Sequence, residues 1–305
     1  METQEICGLK KIKLHDKITI RYLDERQVGI LTASERDKQK HQEDLQKIRN
    51  FRLLDDDFMT KCFDGNIECI QLILQIVLDM SDLVVMDVRT QVFVENLLNR
   101  SVRLDVVAVD SKGRVYNIEI QRMDKGAGKK RARYNSSMMD ANLLKKGENF
   151  DKLPETYVIF ITENDVIGKG QPVYKVERYF SGTDECFGDG THIIYVNGAY
   201  RDETPIGKLM HDFSCTNPND MNYGILADRV RFFKESREGV AIMCKVIEDI
   251  RREEREEGLK EGLKEGLKAT ALRMLKAGKY ALEEVAEISG LPLEEVKKMQ
   301  TGQRA

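Results

Sequence analysis

Residues 103–121 read Arg103-Leu104-Asp105-Val106-Val107-Ala108-Val109-Asp110-Ser111-Lys112-Gly113-Arg114-Val115-Tyr116-Asn117-Ile118-Glu119-Ile120-Gln121, and this stretch decides the fold. Two apolar runs flank Asp110-Ser111-Lys112-Gly113, a polar turn whose glycine tolerates positive φ. The pattern predicts a β-hairpin. Side chains alternate along a strand, so Asn117, Glu119 and Gln121 share one face while Tyr116, Ile118 and Ile120 share the other. Asp105 sits among Val102, Leu104, Val106, Val107 and Val109. A carboxylate in such company is costly to bury unless something pairs it. A divalent cation shared by Asp105 and Glu119 would do so. Mg²⁺ favours one or two carboxylates completed by water and phosphate oxygens. The alternative for each acid is a strand-edge charge facing solvent.

The surroundings of the hairpin fit an α/β domain. Residues 55–80 predict helix with a break at Asp64-Gly65-Asn66. Asn66 is placed to cap the second part, where Ile67, Ile70, Leu74 and Val77 recur at helical spacing. Residues 84–94 read as a strand or hairpin arm, 126–146 as a helix, and 156–162, after Pro154, as a strongly β-prone strand. Further strands are expected at 174–180 and 192–196, a short helix at 206–213, and a long helix over most of 223–255. Helix, hairpin, helix, strand in this order predicts a mixed sheet with helices on both faces.

Asp105, a hairpin, then Glu119-Ile120-Gln121 resembles the PD-(D/E)XK nucleases, and more closely their Rpn branch of recombination-promoting nucleases and transposase-like proteins. The resemblance extends to Leu54-Asp55-Asp56-Asp57-Phe58-Met59-Thr60-Lys61-Cys62-Phe63, to Lys129-Lys130-Arg131-Ala132-Arg133-Tyr134-Asn135-Ser136, to Thr156-Tyr157-Val158-Ile159-Phe160-Ile161-Thr162, and to the repeated Glu-Gly-Leu-Lys tail. It covers about residues 50–300. It implies a restriction-endonuclease-like fold and Mg²⁺-dependent hydrolysis of DNA phosphodiesters, with Mn²⁺ as a substitute ion. Asp105 and Glu119 would be metal ligands together with the backbone carbonyl of Ile120. Glu68, in the first turn of its helix, would be the further acid reaching metal through water, although a first-turn Glu also simply complements the helix dipole.

Gln121 departs from the superfamily's commoner Lys. It exchanges hydrogen bonds but brings no charge. The positive charge then has to come from elsewhere, and Lys130, Arg131 and Arg133 are nearest in sequence. A guanidinium matches phosphate bidentately. From Gln121 to Lys146 there are eight Lys or Arg against two acids, although the whole chain carries a net charge of −3. Lys129, Lys130, Arg131, Arg133 and Tyr134 are therefore the candidate DNA contacts, at a helix start that itself favours anions. A solvated helix face is the alternative.

Other chemistry is excluded. The four His (15, 41, 192, 211) lack ligand spacing, and the six Cys form no CxxC pair, which argues against zinc and fits free thiols in a cytoplasmic setting. No Walker-type loop is present, so no nucleotide cofactor is expected, and no apolar run is long enough for a membrane span.

The domain organisation predicted is a polar extension at 1–50, with a charged helix at 34–50; a nuclease domain at 51–252; a charged Gly/Leu-repeat helix at 253–278; and a helix-turn-helix-like module at 279–305. Gly258, Gly262 and Gly266 cost a soluble helix roughly 1 kcal/mol each relative to Ala, which close packing against a partner helix or in a homodimer would offset. A flexible tether is the other reading. Glu294 and Glu295 open the last helix, which favours packing over DNA reading there. The competing function is a non-catalytic DNA-binding or assembly protein on a nuclease fold; an RNA-cleaving enzyme is a third.

Overall fold

The computed structural model describes residues 33–96, 100–122 and 124–302. The chain divides into two units after Lys47. Helix α1 (Ala33–Asn50) contains the described part of the first unit, and it matches the charged helix expected there. The second unit, from Ile48 onward, carries everything that follows.

Its centre is a six-stranded mixed sheet in the order β1-β2-β3-β4-β6-β5. The strands are β1 (Val85–Val94), β2 (Val102–Asp110), β3 (Val115–Gln121), β4 (Thr156–Thr162), β5 (Val173–Val176) and β6 (Thr191–Asn197). Strands β1, β2 and β3 pair antiparallel, β3, β4 and β6 run parallel, and β5 closes the far edge antiparallel to β6. The β2–β3 turn is tied by Asp110, whose carboxylate accepts from the N–H groups of Lys112 and Arg114, from Arg114 Nε and from Tyr116 Oη.

One face of the sheet is covered by α2 (Asp56–Phe63), α3 (Ile67–Leu78), α5 (Pro205–Ser214), α6 (Gly224–Glu235) and the start of α7 (Arg237–Ala277). Phe58, Phe63, Ile70, Leu74, Phe213, Val230 and Phe233 pack there onto Val106, Tyr116 and Ile118. The other face is covered by α4 (Lys129–Leu143), with Ala132, Met138 and Met139 against Leu104, Val158, Phe160 and Tyr195. The expected break before α3 is present: Asn66 Oδ1 accepts from Cys69 N at 3.0 Å.

Three boundaries differ from expectation. The strand predicted at 174–180 stops at Val176, because the chain then leaves the sheet in an arm closed by a single Tyr179–Cys186 bridge. The helix expected at 223–255 is two helices. Ser236 Oγ caps the second by accepting from Gly239 N, and a Cβ on Gly239 would meet Phe232 O at 2.1 Å, so only glycine lets the helices approach there. The third difference is that α7 runs unbroken from Arg237 to Ala277. The boundary expected at 252/253 thus falls inside one helix, and the Glu-Gly-Leu-Lys repeat is its continuation. The end of α7 then joins α8 (Leu282–Ser289) and α9 (Leu293–Gly302) in a small core of Ala271, Val285, Leu291 and Val296. Gly290, at φ +70°, makes the turn after α8.

Candidate active site

The β2–β3 ladder pairs Val109 with Val115 and ends at Val106 with Ile118. Beyond that pair the strands part, and Asp105 takes over as a side-chain acceptor: Ile120 N–H donates to Asp105 Oδ2 at 3.1 Å. Across β1 the paired positions skip from Thr90–Val106 to Val92–Leu104, leaving Gln91 opposite Asp105. Gln91 has φ +52°, a left-handed backbone that costs a non-glycine residue on the order of 1 kcal/mol or more. The layers change at the same place. Val106 and Ala108 face the α2/α3 core, whereas Leu104, which strict alternation would put beside them, faces the α4 core. The hairpin is therefore bent at Asp105, and the bend opens the sheet where the carboxylates meet.

Glu119 is fully buried and Asp105 is 8 % exposed. Glu119 Oε1 accepts from Asn117 Nδ2 at 3.0 Å and Oε2 from Arg131 Nη2 at 2.7 Å. Burial, then the neighbouring charges of Glu119 and Asp56, push the Asp105 carboxyl up to about 7. Burial also raises Glu119, opposed chiefly by Arg131. Two desolvated carboxylates that repel each other are a demand for positive charge.

Arg131 meets part of that demand. From the first turn of α4 it reaches Glu119, and its Nη1 donates to Gln121 Oε1 at 3.4 Å and to Gly126 O at 3.3 Å. The short 3-10 turn Asp124–Ala127 carries β3 into α4, and a Cβ on Gly126 would lie 1.8 Å from Gln121 Oε1. This glycine leaves the space that the Gln121 carboxamide occupies.

The structure brings together Asp105, Glu119, Ile120, Gln121 and Arg131. It sets Glu68 apart: that side chain is exposed at the start of α3, and the nearby group that feels its charge is Cys69. The acid on a preceding helix whose charge acts on Asp105 is Asp56, in the first turn of α2. Sequence reasoning missed Asp56 because Asp55, Asp56 and Asp57 look alike as acids at a helix start. Lys129, Lys130 and Arg133 lie exposed along the start of α4. Tyr134 is turned to the β1–β2 connection instead, its hydroxyl donating to Arg100 O.

Two further features carry no sequence signal of their own. Arg122, directly after Gln121, bridges Asp55 at 2.8 Å and Glu163 at 3.6 Å, while Arg52 binds Glu163 at 2.7 Å. This network joins the ends of β3 and β4 to the start of α2. Beside it, Asp56, Asp57, Thr60, Lys61, Gln91 and Arg103 form one wall of a cleft of about 400 Å³, and α7 supplies the other.

Among the described residues, no group of three or more His, Cys, Asp or Glu is arranged to hold a metal ion. The two buried carboxylates, Asp105 and Glu119, are hard oxygen donors, and the Ile120 carbonyl follows Glu119 directly in the chain. Hard oxygen donors suit a hard divalent cation better than a softer metal.

A bent, mixed sheet flanked by helices, with acids at the opened end of a central hairpin, defines a restriction-endonuclease-like α/β fold. Residues 64–199 match the family model described as PD-(D/E)XK nuclease family transposase, in agreement with the resemblance carried by the hairpin. No curated protein and no solved structure matches the chain. The match supports a nuclease or transposase-associated role. No helix among the described residues is long and apolar enough to cross a membrane.

Proposed function

We propose that this protein is a Mg²⁺-dependent DNA endonuclease that hydrolyses phosphodiester bonds without a covalent enzyme intermediate, in the service of recombination or mobile elements. The observation that carries the reading is the pairing of buried Asp105 and Glu119 at the parted ends of β2 and β3. Asp105, Glu119 and the Ile120 carbonyl would hold the cation. When bound, a divalent cation offsets phosphate charge and acidifies a coordinated water. Gln121 orients the attacking water through its carboxamide, and Asp56 supports the site from α2. Arg131, half-exposed beside Gln121, supplies to the phosphate the charge that Gln121 lacks. Lys129, Lys130 and Arg133 hold the flanking backbone.

The reading includes a cytoplasmic location, in keeping with described cysteines that form no disulfide. It includes self-association through α7, where Leu259 and Leu263 are 69 % and 65 % exposed and Gly258, Gly262 and Gly266 have open space around them.

The Arg131–Glu119 ion pair also favours a second reading, a DNA-binding scaffold in which the arginine permanently stands in for the cation. Duplex binding and cleavage measured side by side, with Mg²⁺ and with chelator, separate the two. Binding with Mg²⁺-dependent cleavage supports the enzyme. Binding by a folded protein that cuts no form of DNA supports the scaffold.

A further inference from the structure

Gln91 is one of two non-glycine residues with positive φ among the described residues; the other, Asp79, ends α3. A helix end accounts for Asp79. Nothing of the kind accounts for a left-handed glutamine inside a ten-residue strand. A strained position kept within a regular element is held there by its surroundings. Gln91 stands opposite Asp105, where pairing lapses on both sides of β2 and where the inward-facing residues change layers. Its carboxamide reaches α2: Nε2 donates to Asp56 Oδ1 at 3.3 Å and to Thr60 Oγ1 at 3.2 Å. One residue thus shapes the strand that presents Asp105 and holds the α2 acid whose charge acts on Asp105.

We propose that Gln91 is a positioning residue for the cation site: its left-handed backbone, opposite Asp105 in the β1–β2 pair, presents Asp105, and its side chain holds Asp56. The inference rests on the metal-dependent reading above and adds a determinant that lies outside the hairpin's acidic motif. The role assigned to Gln91 is indirect. It acts through Asp105 and Asp56, as groups that orient metal ligands do.

The test is Mn²⁺ affinity of the full chain, measured by titration and by the Mn²⁺ spin-resonance signal, with melting temperature as the control for folding. Gln91→Gly keeps the left-handed backbone and removes the carboxamide. It should weaken Mn²⁺ binding roughly tenfold, the scale expected when a group that orients a metal ligand is removed. Asp56→Asn should weaken it similarly, and the double variant no further than the weaker single. Cleavage by Gln91→Gly should fail at low Mg²⁺ and recover at high Mg²⁺. Gln91→Asn, which tolerates the left-handed backbone but is a methylene too short for Asp56, provides the same readout if the glycine variant does not fold. Wild-type affinity in these Gln91 variants, with binding abolished by Asp105→Ala, overturns this proposal alone. Fully additive losses for Gln91 and Asp56 also overturn it. Failure of the wild type to bind Mn²⁺ at all overturns the metal-dependent reading, and this inference with it.

Discussion

Asp105 accepts at 3.1 Å from the backbone N–H of Ile120, the residue that follows Glu119 on the neighbouring strand. A side chain here takes the acceptor role that a paired strand would supply. The sheet can therefore part without orphaning the Ile120 N–H, and the parted end is where Asp105 and Glu119 meet.

That meeting makes the site pH-sensitive. Burial and the Glu119 charge raise Asp105 from the ordinary carboxylate range to about 7. The folded protein therefore holds a proton that the unfolded chain releases near pH 4. Without metal, the folded state loses stability as pH rises from about 4 to about 7, and the penalty is complete above that. Divalent cation binding requires the ionised form, so affinity should climb across pH 6–8 and then level. The rise in melting temperature produced by Mg²⁺ should be larger at pH 8 than at pH 6. Asp105→Asn should melt higher than wild type at pH 8 without metal and gain nothing from Mg²⁺.

Arg131 ties charge to position. Arg131→Ala leaves buried Glu119 without its 2.7 Å partner, and the Glu119 carboxyl should move further up. Cleavage should fall by about a hundredfold or more, the scale seen when a group that stabilises transition-state charge is removed. DNA affinity should change far less. Arg131→Lys should recover part of the rate, since it restores charge but not the two-pronged reach to Glu119 and Gln121. A rate unchanged in Arg131→Ala would remove this residue from the chemistry.

Gly126→Ala tests Gln121 without touching it. The added methyl would collide with the end of a flexible side chain, so Gln121 should swing away while the backbone stays. The expected result is a drop in cleavage rate, a small change in melting temperature and unaltered Mn²⁺ affinity.

The start of α4 is expected to carry the electrostatic share of DNA binding. Charge reversal of Lys129, Lys130 and Arg133 together should weaken duplex binding at every sequence tried. It should flatten the salt dependence by about 0.9 in log–log slope for each phosphate no longer neutralised. Reversal at Lys297 and Lys298 in the terminal module, where Glu294 pairs with Lys297, should leave both unchanged.

Much of this fold was legible because period-two apolar runs and polar turns are local signals. The hairpin, the β4 strand and the break at Asn66 each follow from residues within a few positions of one another. The bend at Asp105 was not legible. It depends on a left-handed Gln91 in the preceding strand, and a glutamine announces no such backbone. The action of the Asp56 charge on Asp105, which Glu68 does not share among the leading causes, was hidden for a similar reason. Both are first-turn acids, and only the packing of α2 against the hairpin separates them. Arg131 was one of three basic candidates until α4 was placed over Glu119. The split at Ser236 was written in the sequence, as a serine three residues before a glycine, inside a stretch read as mostly one helix.

The most direct test is single-turnover cleavage of supercoiled plasmid, comparing wild type with Asp105→Asn and Glu119→Gln, each with Mg²⁺ and with chelator. A metal site at Asp105 and Glu119 predicts Mg²⁺-dependent nicking or linearisation by wild type and none by either folded variant. Cleavage that persists in both variants, or that proceeds equally in chelator, would contradict it.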